Sequence, residues 1–316
     1  MADKKIIAVT GATGLQGGGL VRAILADKAG GFAARAITRD PTSDKAKALA
    51  ALGAEVVKAD VDDVDSLTRA FAGAHGAYCV TFFWHYMSPE REMEQAKAEA
   101  TAAKNAKVQH TIRSTLEDTR RFVPLNDDRM PTLMGSYKVP HFDAKGASDR
   151  FFAEAGIPVT NLITSFYWDN FIYFGMGPKK GADGALHLAL PMGDKKLGGI
   201  AAEDIGRCAY GIFRRGREYV GKTVGIVGAL MTGAEMAASF SKALGQRVQY
   251  DAIPPAAYRK LGFPGAEDIG NMFQYYADFE KEFAAMRSVS EARALNPELL
   301  TFDQWLVRNK DRIPLA

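Results

Sequence analysis

Residues 6–20 read IIAVTGATGLQGGGL, and the fold is best inferred from this stretch. It begins with an apolar run typical of a buried strand, and the residues after Gly17 have the pattern of a helix. Between the two lie Gly11, Gly14 and Gly17, spaced as GxxGxxG. Glycines allow a tight turn and a close approach of the backbone to a pyrophosphate, for which a helix N-terminus supplies N–H groups. The stretch therefore predicts a dinucleotide-binding turn, although a glycine-rich turn without a ligand is the simpler alternative.

Short apolar strands and helix patterns alternate through the first half of the chain. This alternation is typical of buried parallel strands joined by right-handed crossover helices, so it predicts a doubly wound α/β sheet of the Rossmann type. The predicted strands cover 5–10, 33–38, 54–60, 76–83, 110–115 and 158–164, and the predicted helices lie near 17–28, 42–52, 63–73, 88–106 and 141–155.

The alternation weakens after residue 165. We therefore expect a Rossmann domain over residues 1–165, to whose sheet later segments return, and a smaller α/β domain for a substrate or partner over residues 166–316, with a cleft between them. The long connection 116–139 is a candidate lid over that cleft. In the second domain the sequence predicts a hairpin within 181–196, helices at 201–213, 263–286 and 300–310, and strands at 222–228 and 246–253.

Composition and charge exclude several classes of protein. Of the 316 residues 47% are hydrophobic, enough for a full core, and the net charge of +3 is scattered rather than clustered as in nucleic-acid-binding proteins. No apolar run approaches the roughly 20 residues of a membrane helix. Cys79 and Cys208 lie in apolar segments without disulfide or metal spacing, and the N-terminus leads into the first strand without a signal-peptide pattern. We expect a cytoplasmic protein that binds neither nucleic acid nor membrane.

The end of the second strand bears on the choice of cofactor. Residues 36–41 read AITRDP, which places Thr38 and Arg39 where NAD-preferring proteins usually carry an acid. A guanidinium there pairs well with a 2′-phosphate, so the sequence favours NADP(H). Asp40 leaves two alternatives open, because it is either the acid that binds the ribose or the start of the following turn. The end of the third strand adds two candidates for the adenine contact, or alternatively for a surface turn: Asp60 and Val61.

Six motifs together resemble one known family: VTGATGLQG, AITRDP, VVKADVDD, HFDAK, SFYWDN and LGFPGAEDIGNMF. Along nearly its whole length the chain is similar to the NmrA-like family of atypical short-chain dehydrogenase/reductases, most of all to the branch that contains a human redox sensor. The resemblance implies an NADP(H)-binding Rossmann domain, a smaller C-terminal domain and a nicotinamide in the cleft between them. It also implies one of two functions, since some members reduce quinones, dyes or phenylpropanoid-type compounds and others sense the NADPH/NADP ratio through a protein partner.

The resemblance further implies a set of cofactor contacts. The glycine-rich turn would hold the pyrophosphate, the end of the second strand the 2′-phosphate, and the end of the fourth strand would border the bridge from adenosine to nicotinamide. A lysine would reach the nicotinamide ribose, and the SFYWDN loop would flank the nicotinamide ring. In that order the residues are Gly11, Thr13, Gly14, Leu15, Gln16 and Gly17; Thr38 and Arg39; Thr81, Phe82 and Phe83; Lys145; and Tyr167 with Asn170.

His141 and Lys145 stand four residues apart at the start of the predicted helix 141–155. Residues with this spacing share a helix face, and short-chain dehydrogenases usually carry a tyrosine where this chain has the histidine. Imidazole, with a pKa of about 6.5, is suited to donate the substrate proton; the alternative is a ring that only packs beside the cofactor. Tyr137 is a second candidate donor, and Ser114 is a candidate for polarising the substrate or, alternatively, a strand-end turn residue.

Aromatic residues follow the fourth strand, at the carboxyl edge of the sheet, where doubly wound folds bind ligands. Together with the aromatics of the SFYWDN loop they suit a flat apolar pocket for an aromatic or quinone-like compound; the alternative is that they fill the core. The candidate pocket residues are Phe83, Trp84, His85, Tyr86, Ser114, Phe166, Tyr167 and Trp168.

Two functions follow as hypotheses. The preferred one is an NADPH-dependent reductase of a quinone, carbonyl compound or conjugated aromatic molecule, in which Lys145 orients the cofactor and His141, Tyr137 or solvent supplies the proton. The alternative is a non-catalytic sensor that binds a protein partner according to the redox state of NADP(H). The missing tyrosine favours the sensor, and the aromatic pocket favours the enzyme. In both cases we expect a monomer or a homodimer.

Overall fold

The computed structural model describes residues 4–315; residues 1–3, which belong to the segment without a signal-peptide pattern, and residue 316 lie outside it. Strands and helices alternate through the first half, as the sequence predicts. The fourth strand ends sooner than predicted, because a short 3₁₀ turn, Phe83–His85, follows it. The elements are β1 (Lys5–Val9), α1 (Leu15–Ala26), β2 (Phe32–Thr38), α2 (Asp44–Ala51), β3 (Glu55–Lys58), α3 (Val64–Phe71), β4 (Gly76–Cys79), α4 (Pro89–Asn105), β5 (His110–Thr115), α5 (Pro140–Ala155) and β6 (Val159–Ile163).

The second half of the described chain adds shorter strands and more helices. They are β7 (Phe166–Tyr167), α6 (Asn170–Tyr173), β8 (Lys179–Lys180), β9 (Leu186–Leu190), β10 (Lys196–Ile200), α7 (Ala202–Arg215), β11 (Thr223–Gly225), β12 (Ala229–Thr232), α8 (Gly233–Leu244), β13 (Val248–Ala252), α9 (Pro255–Tyr258), α10 (Ala266–Asp278), α11 (Glu280–Ala285), α12 (Val289–Leu295) and α13 (Phe302–Asn309). A hairpin forms from β8 and β9, but β8 lies just before the predicted range 181–196. The single helix predicted over 263–286 is wrong: Phe279, at φ −121° and ψ 36°, separates α10 from α11. The apolar pattern continues on both sides of this residue, so periodicity does not reveal the break.

Seven strands form one parallel sheet in the order β11–β6–β5–β4–β1–β2–β3. This is a doubly wound Rossmann sheet, which confirms the predicted fold class. The strand order reverses between β1 and β4, so the carboxyl ends of these two strands open a crevice of the kind in which such folds bind ligands. β11 comes from the second half of the chain and forms one edge of the sheet beside β6.

Helix α1 packs closely on α7, which supports the start of α1 at this crevice. A Cβ atom on Gly19 would lie 2.6 Å from the carbonyl oxygen of Glu203, and one on Gly206 would overlap the backbone of Leu20. Glycine at both positions therefore lets the two helices meet backbone to backbone. A helix from the second half of the chain thus supports the glycine-rich turn of the first half.

The smaller α/β part follows the carboxyl end of β6. Its strands form two three-stranded sheets, in the orders β12–β10–β7 and β13–β9–β8. Its core is rich in buried aromatic rings, among them Trp168, Phe171, Phe302 and Trp305. None of the helices within residues 4–315 combines the length and the apolar character needed to cross a membrane.

The connection 116–139, the candidate lid, lies against α10. Asn271 of that helix donates hydrogen bonds from Nδ2 to the carbonyl oxygens of Pro131, at 2.9 Å, and Lys138, at 2.6 Å. Met130 and Lys138 are buried, and Nζ of Lys138 donates to the Met130 carbonyl oxygen at 2.7 Å. The connection is therefore anchored at several points, and its role as a lid stays a prediction.

Candidate functional site

The glycine-rich turn leaves the first amides of α1 open. Among residues 4–315 no side chain caps this helix, and its first internal hydrogen bond runs from Gly18 N to Gly14 O at 3.0 Å. A Cβ atom on Gly17 would lie 2.5 Å from the carbonyl oxygen of Gly11, and Gly11 itself has a left-handed φ of +59°. The turn is thus as tight as its spacing predicts, and its N–H groups suit an anion. Thr13 is half-buried on the turn, and Leu15 is exposed at the first position of the helix.

Gln16 joins two other candidate residues and Tyr78 through hydrogen bonds. Its Oε1 accepts from the hydroxyl of Tyr78, at 2.6 Å, and from that of Ser114, at 2.8 Å, while its Nε2 donates to the hydroxyl of Tyr167. Burial raises the pKa of Tyr167 to about 12, so this phenol stays protonated at neutral pH. The structure therefore brings three predicted residues together. It adds Tyr78, which the sequence shows only as a strand residue.

Arg39 lies at the carboxyl end of β2 and is exposed. It makes no hydrogen bond or ion pair with any residue in 4–315. Asp40, in contrast, is hydrogen-bonded within the protein: its Oδ1 accepts from the backbone N and the hydroxyl of Thr42 at 2.8 and 2.6 Å. These bonds lower the pKa of the Asp40 carboxyl and close the turn after β2. Asp40 is thus a turn residue, and its contact with a ribose stays a prediction. The hydroxyl of Thr38, beside it, accepts from Asp40 N at 3.2 Å.

Asp60 and Val61 occupy the turn between β3 and α3 and are half-buried. The Asp60 carboxylate accepts from the backbone N of Asp62 at 3.1 Å, which closes this turn. Asp62 in turn accepts from Arg91, at 2.5 Å, and Gln95, at 2.8 Å, on α4. The turn is therefore tied to the start of α4, and contact of Asp60 or Val61 with an adenine stays a prediction.

Lys145, which is half-buried, forms an ion pair with a buried carboxylate that the sequence does not reveal. Its Nζ donates to Oε1 of Glu92 at 2.6 Å, to the hydroxyl of Thr81 at 2.8 Å and to the Thr81 carbonyl oxygen at 3.2 Å. Glu92 is 2% exposed, and its second oxygen, Oε2, is buried without a hydrogen-bond partner among the described residues. Thr81 also hydrogen-bonds Glu92. Of the neighbouring candidates, Phe82 is exposed and Phe83 is buried.

His141 is held by a second carboxylate that sequence reasoning missed. Its Nδ1 lies 2.6 Å from Oδ1 of Asp268, and its backbone N donates to Oδ2 of the same residue at 3.2 Å. Because a carboxylate only accepts hydrogen bonds, Nδ1 carries the proton of this pair, and Nε2 has no partner among the described residues. The ring centroid lies 4.8 Å from that of Trp84 and 5.9 Å from that of Phe83. The only sequence signal for Asp268 is its position in the LGFPGAEDIGNMF motif.

The other candidates lie outside these two pairs. The Tyr137 hydroxyl donates to Oε1 of Glu90 at 3.4 Å, so it bonds neither His141 nor Lys145. His85 and Tyr86 are exposed beyond Trp84, with their ring centroids 4.5 Å apart. Asn170 is half-buried at the first position of α6.

Phe166 and Trp168 do not line the substrate pocket, which corrects the prediction. They are 3% and 2% exposed and belong to the aromatic core of the smaller part. Phe166 packs on Phe171 and Phe273, and Trp168 packs on Phe302. On β7 Phe166 precedes Tyr167, so its side chain points to the opposite face from the tyrosine that reaches Gln16; Trp168 directly follows the strand.

A cleft of about 390 Å³ opens beside the His141–Asp268 pair. It lies between the residues that follow β4, the connection 116–139 and the segment that leads from α9 into α10. Its walls are mostly apolar. Among the predicted pocket residues Phe83 and Trp84 line it, together with Met87, Leu133, Met134, Pro140, Arg259, Gly262, Phe263, Gly265, Ala266, Glu267 and Asp268.

Comparison with known proteins places this site in a family context. The model of the NmrA-like family matches residues 3–306. The NmrA-like family domain-containing oxidoreductase FrzB of a Cladobotryum species is 30% identical over 293 residues, which make up 85% of this chain and 83% of that protein.

Solved structures share the fold over nearly the whole chain. NmrA, a negative transcriptional regulator in complex with NADP, is 24% identical and has a TM-score of 0.78, covering 96% of this chain and 95% of its own. Triphenylmethane reductase of a Citrobacter species, in complex with NADP(H), is 20% identical and has a TM-score of 0.75, covering 96% and 99%.

Proposed function

The chain belongs to the NmrA-like family, and from this membership we propose that it is an NADPH-dependent oxidoreductase that reduces a quinone, a carbonyl compound or a conjugated aromatic molecule. One observation carries the proposal. The imidazole of His141 is held at Nδ1 by Asp268, lies among the aromatic rings of the cleft and stands one helical turn before Lys145. An oriented imidazole whose second nitrogen has no partner among the described residues is arranged for proton transfer.

The residues fit NADP(H), because the chain offers a suitable group for each of its phosphate-containing parts. The uncapped start of α1 suits the pyrophosphate, and Arg39, without a partner among the described residues, suits the 2′-phosphate. We propose that Lys145, Tyr167 and Asn170 hold the nicotinamide half. When bound, NADPH supplies the hydride.

His141 supplies the matching proton in this proposal. Reduction of a carbonyl group or quinone adds one proton for each hydride, and Nε2 of a protonated His141 is the atom that gives it up. Solvent then returns a proton to the ring. Asp268 is a positioning residue, since its carboxylate keeps Nδ1 as a donor and thereby makes Nε2 the nitrogen that exchanges the proton.

Lys145 acts as the orienting cation, with Glu92 as its anchor. The buried carboxylate and Thr81 together hold Nζ at the carboxyl end of β4, where the crevice opens. An anchored ammonium loses less conformational entropy on binding a ribose hydroxyl than a freely rotating one.

A non-catalytic sensor is the second candidate. The observation that favours it is the replacement of the usual tyrosine by His141, four residues before Lys145. NmrA, which shares the fold, is described as a negative transcriptional regulator. In a sensor, His141 and its neighbours would support the cofactor pocket without transferring a proton.

Steady-state kinetics separate the two candidates. NADPH oxidation is measured against a panel of quinones and aromatic aldehydes with the full chain and with the variants His141→Phe and Lys145→Met. His187→Gln, on β9, is the matched histidine control. The reductase predicts turnover that both site variants reduce strongly and the control leaves unchanged. Tight NADPH binding by calorimetry without turnover anywhere on the panel supports the sensor and contradicts the reductase.

A further inference from the structure

Arg259 is a cation in the wall of a mostly apolar cleft. The residue follows α9, lines the 390 Å³ cleft beside Asp268 and is half-buried. Around it the walls are formed by apolar and aromatic residues such as Trp84, Met134 and Phe263. A charged group in such surroundings is costly unless something compensates for the lost water.

The hydrogen-bond partners of Arg259 orient it without neutralising it. Nη1 donates to Oδ1 of Asn271 at 3.1 Å and to Oε1 of Gln274 at 2.8 Å, and both acceptors are neutral amides. The amides are themselves fixed, since Asn271 donates to the connection 116–139 and Gln274 donates to the Arg129 carbonyl oxygen at 2.7 Å. Nε and Nη2 donate to none of the described residues, so the guanidinium keeps free donors.

In the described chain the charges of the fully buried arginines are neutralised by carboxylates, unlike that of Arg259. The two that are fully buried each pair with a carboxylate: Arg113 with Asp149 at 2.8 Å, and Arg287 with Glu117 at 2.7 Å. Arg259 forms no ion pair within residues 4–315. Arg259 therefore lacks the carboxylate partner that Arg113 and Arg287 have within the described chain.

The side chain of Arg259 packs across α10 at a glycine. A Cβ atom on Gly270 of α10 would overlap Cγ of Arg259, so only glycine at that position lets the aliphatic stem lie across the helix. Together with the two amides this holds the guanidinium in one place, which is what a preorganised ligand contact requires.

Two carboxylates of α10 also line the cleft. Asp268 is engaged by His141, and Glu267 is exposed and forms no ion pair with Arg259. Burial lowers the pKa of Arg259, and the charge of Glu267 opposes this more weakly. Neither carboxylate therefore neutralises the charge of Arg259, which remains available to an anionic ligand.

We propose that this cleft binds aromatic substrates that carry a carboxylate, and that Arg259 is the residue that selects them. A guanidinium with free donors pairs with a carboxylate in a fixed geometry, while the apolar walls accept the aromatic body. The anionic group enters beside the His141–Asp268 pair. Binding of such a ligand does not depend on the proposed reductase function. Its role as a substrate rests on that function.

Equilibrium binding tests the proposal without turnover. Naphthalene-2-carboxylate and naphthalene-2-carboxamide are compared by calorimetry on the full chain, with NADP present. The carboxylate is expected to bind about tenfold more tightly than the carboxamide. Arg259→Gln should abolish this preference while leaving carboxamide binding unchanged, and Arg259→Lys should keep part of it, because a lysine retains the charge but not the planar fork. Lys260→Gln, which removes the neighbouring exposed charge, should behave as the parent protein.

The possible results separate the subsite from the reductase function. Loss of the preference in Arg259→Gln supports the subsite, even if no quinone or aldehyde is reduced, in which case only the reductase function fails. A preference that survives in Arg259→Gln, equal affinities in the parent protein, or no binding of either compound overturns the subsite. In each of these three cases the reductase function stands or falls by its own kinetics.

Discussion

The ammonium of Lys145 lies 2.6 Å from Oε1 of Glu92, a carboxylate that is 2% exposed. This pair links α5 to α4 beside Thr81, which follows β4 in the chain and bonds both partners. A buried charge is costly without its counter-ion, so the two groups depend on each other. The cation proposed to orient the cofactor is therefore also part of the packing of the Rossmann domain.

The mutual dependence of Lys145 and Glu92 predicts non-additive stability changes. Lys145→Met should lower the free energy of unfolding by about 3 kcal/mol, because it leaves the buried carboxylate unpaired. Glu92→Gln should cost about 1–2 kcal/mol, since the amide keeps some hydrogen bonds. Urea unfolding of both variants and of the double variant measures the coupling.

The double variant should be more stable than Lys145→Met alone, since it no longer buries an uncompensated charge. Glu94→Gln serves as the control, because that side chain is 70% exposed on the same helix. Costs that simply add in the double variant would contradict the coupling.

Asp268 is expected to act on turnover by positioning the imidazole of His141. Asp268→Asn should lower kcat about a hundredfold, because an amide can turn its N–H group towards Nδ1 and no longer fixes that nitrogen as the donor. The KM for NADPH should stay the same. Steady-state kinetics of this variant, beside those of the exposed Asp303→Asn, check the prediction; a KM for NADPH that rises as kcat falls would indicate a purely structural role.

Arg39 is expected to set the preference for NADPH over NADH. Arg39→Ala should weaken NADPH binding about tenfold or more, since it removes a charge-assisted contact to the 2′-phosphate, and leave NADH binding unchanged. Fluorescence titration with both nucleotides gives the two dissociation constants. Lys45→Ala, an exposed cation nearby on α2, is the control. Equal losses for NADPH and NADH would rule out this role.

The buried carboxyl of Glu99 is expected to make the free energy of unfolding fall as the pH rises. Burial raises the pKa of its carboxyl from 4.5 to about 7, although Thr10, Arg113 and Lys145 lower it. The folded state therefore binds this proton more tightly than the unfolded state. The stabilisation is complete below about pH 4.5 and is lost as the pH rises towards 7.

Glu99→Gln removes this titration and should make the protein more stable than the parent at pH 8, by up to about 3 kcal/mol. Unfolding free energies between pH 4.5 and 8 test this, with the exposed Glu154→Gln as control. Parallel curves for the variant and the parent would show that Glu99 does not titrate in this range.

Local patterns of the sequence were sufficient for most of the fold. The apolar runs, the helix periodicity and the spacing of Gly11, Gly14 and Gly17 are all short-range, and they reflect the rules that govern strands, helices and tight turns. The shared face of His141 and Lys145 belongs to the same class, because residues four apart on a helix are neighbours in any tertiary context. The break at Phe279 shows the limit of this reasoning, since a single residue left the helix without any change in the apolar pattern.

The partners of the site residues came only from the packing of distant elements. His141 and Asp268 are 127 residues apart, and Lys145 and Glu92 are 53 apart, so no local pattern connects them. On their helices Glu92 and Asp268 resemble the acidic residues of any solvated face, and only the position of α4 and α10 turns them inward. The same holds for Phe166 and Trp168, whose aromatic side chains suit a pocket but are buried in the core of the smaller part. Local spacing thus predicted the glycine-rich turn and the shared face of His141 and Lys145, while only the tertiary structure showed which charges pair with the site residues, because burial and pairing are properties of the assembled layers.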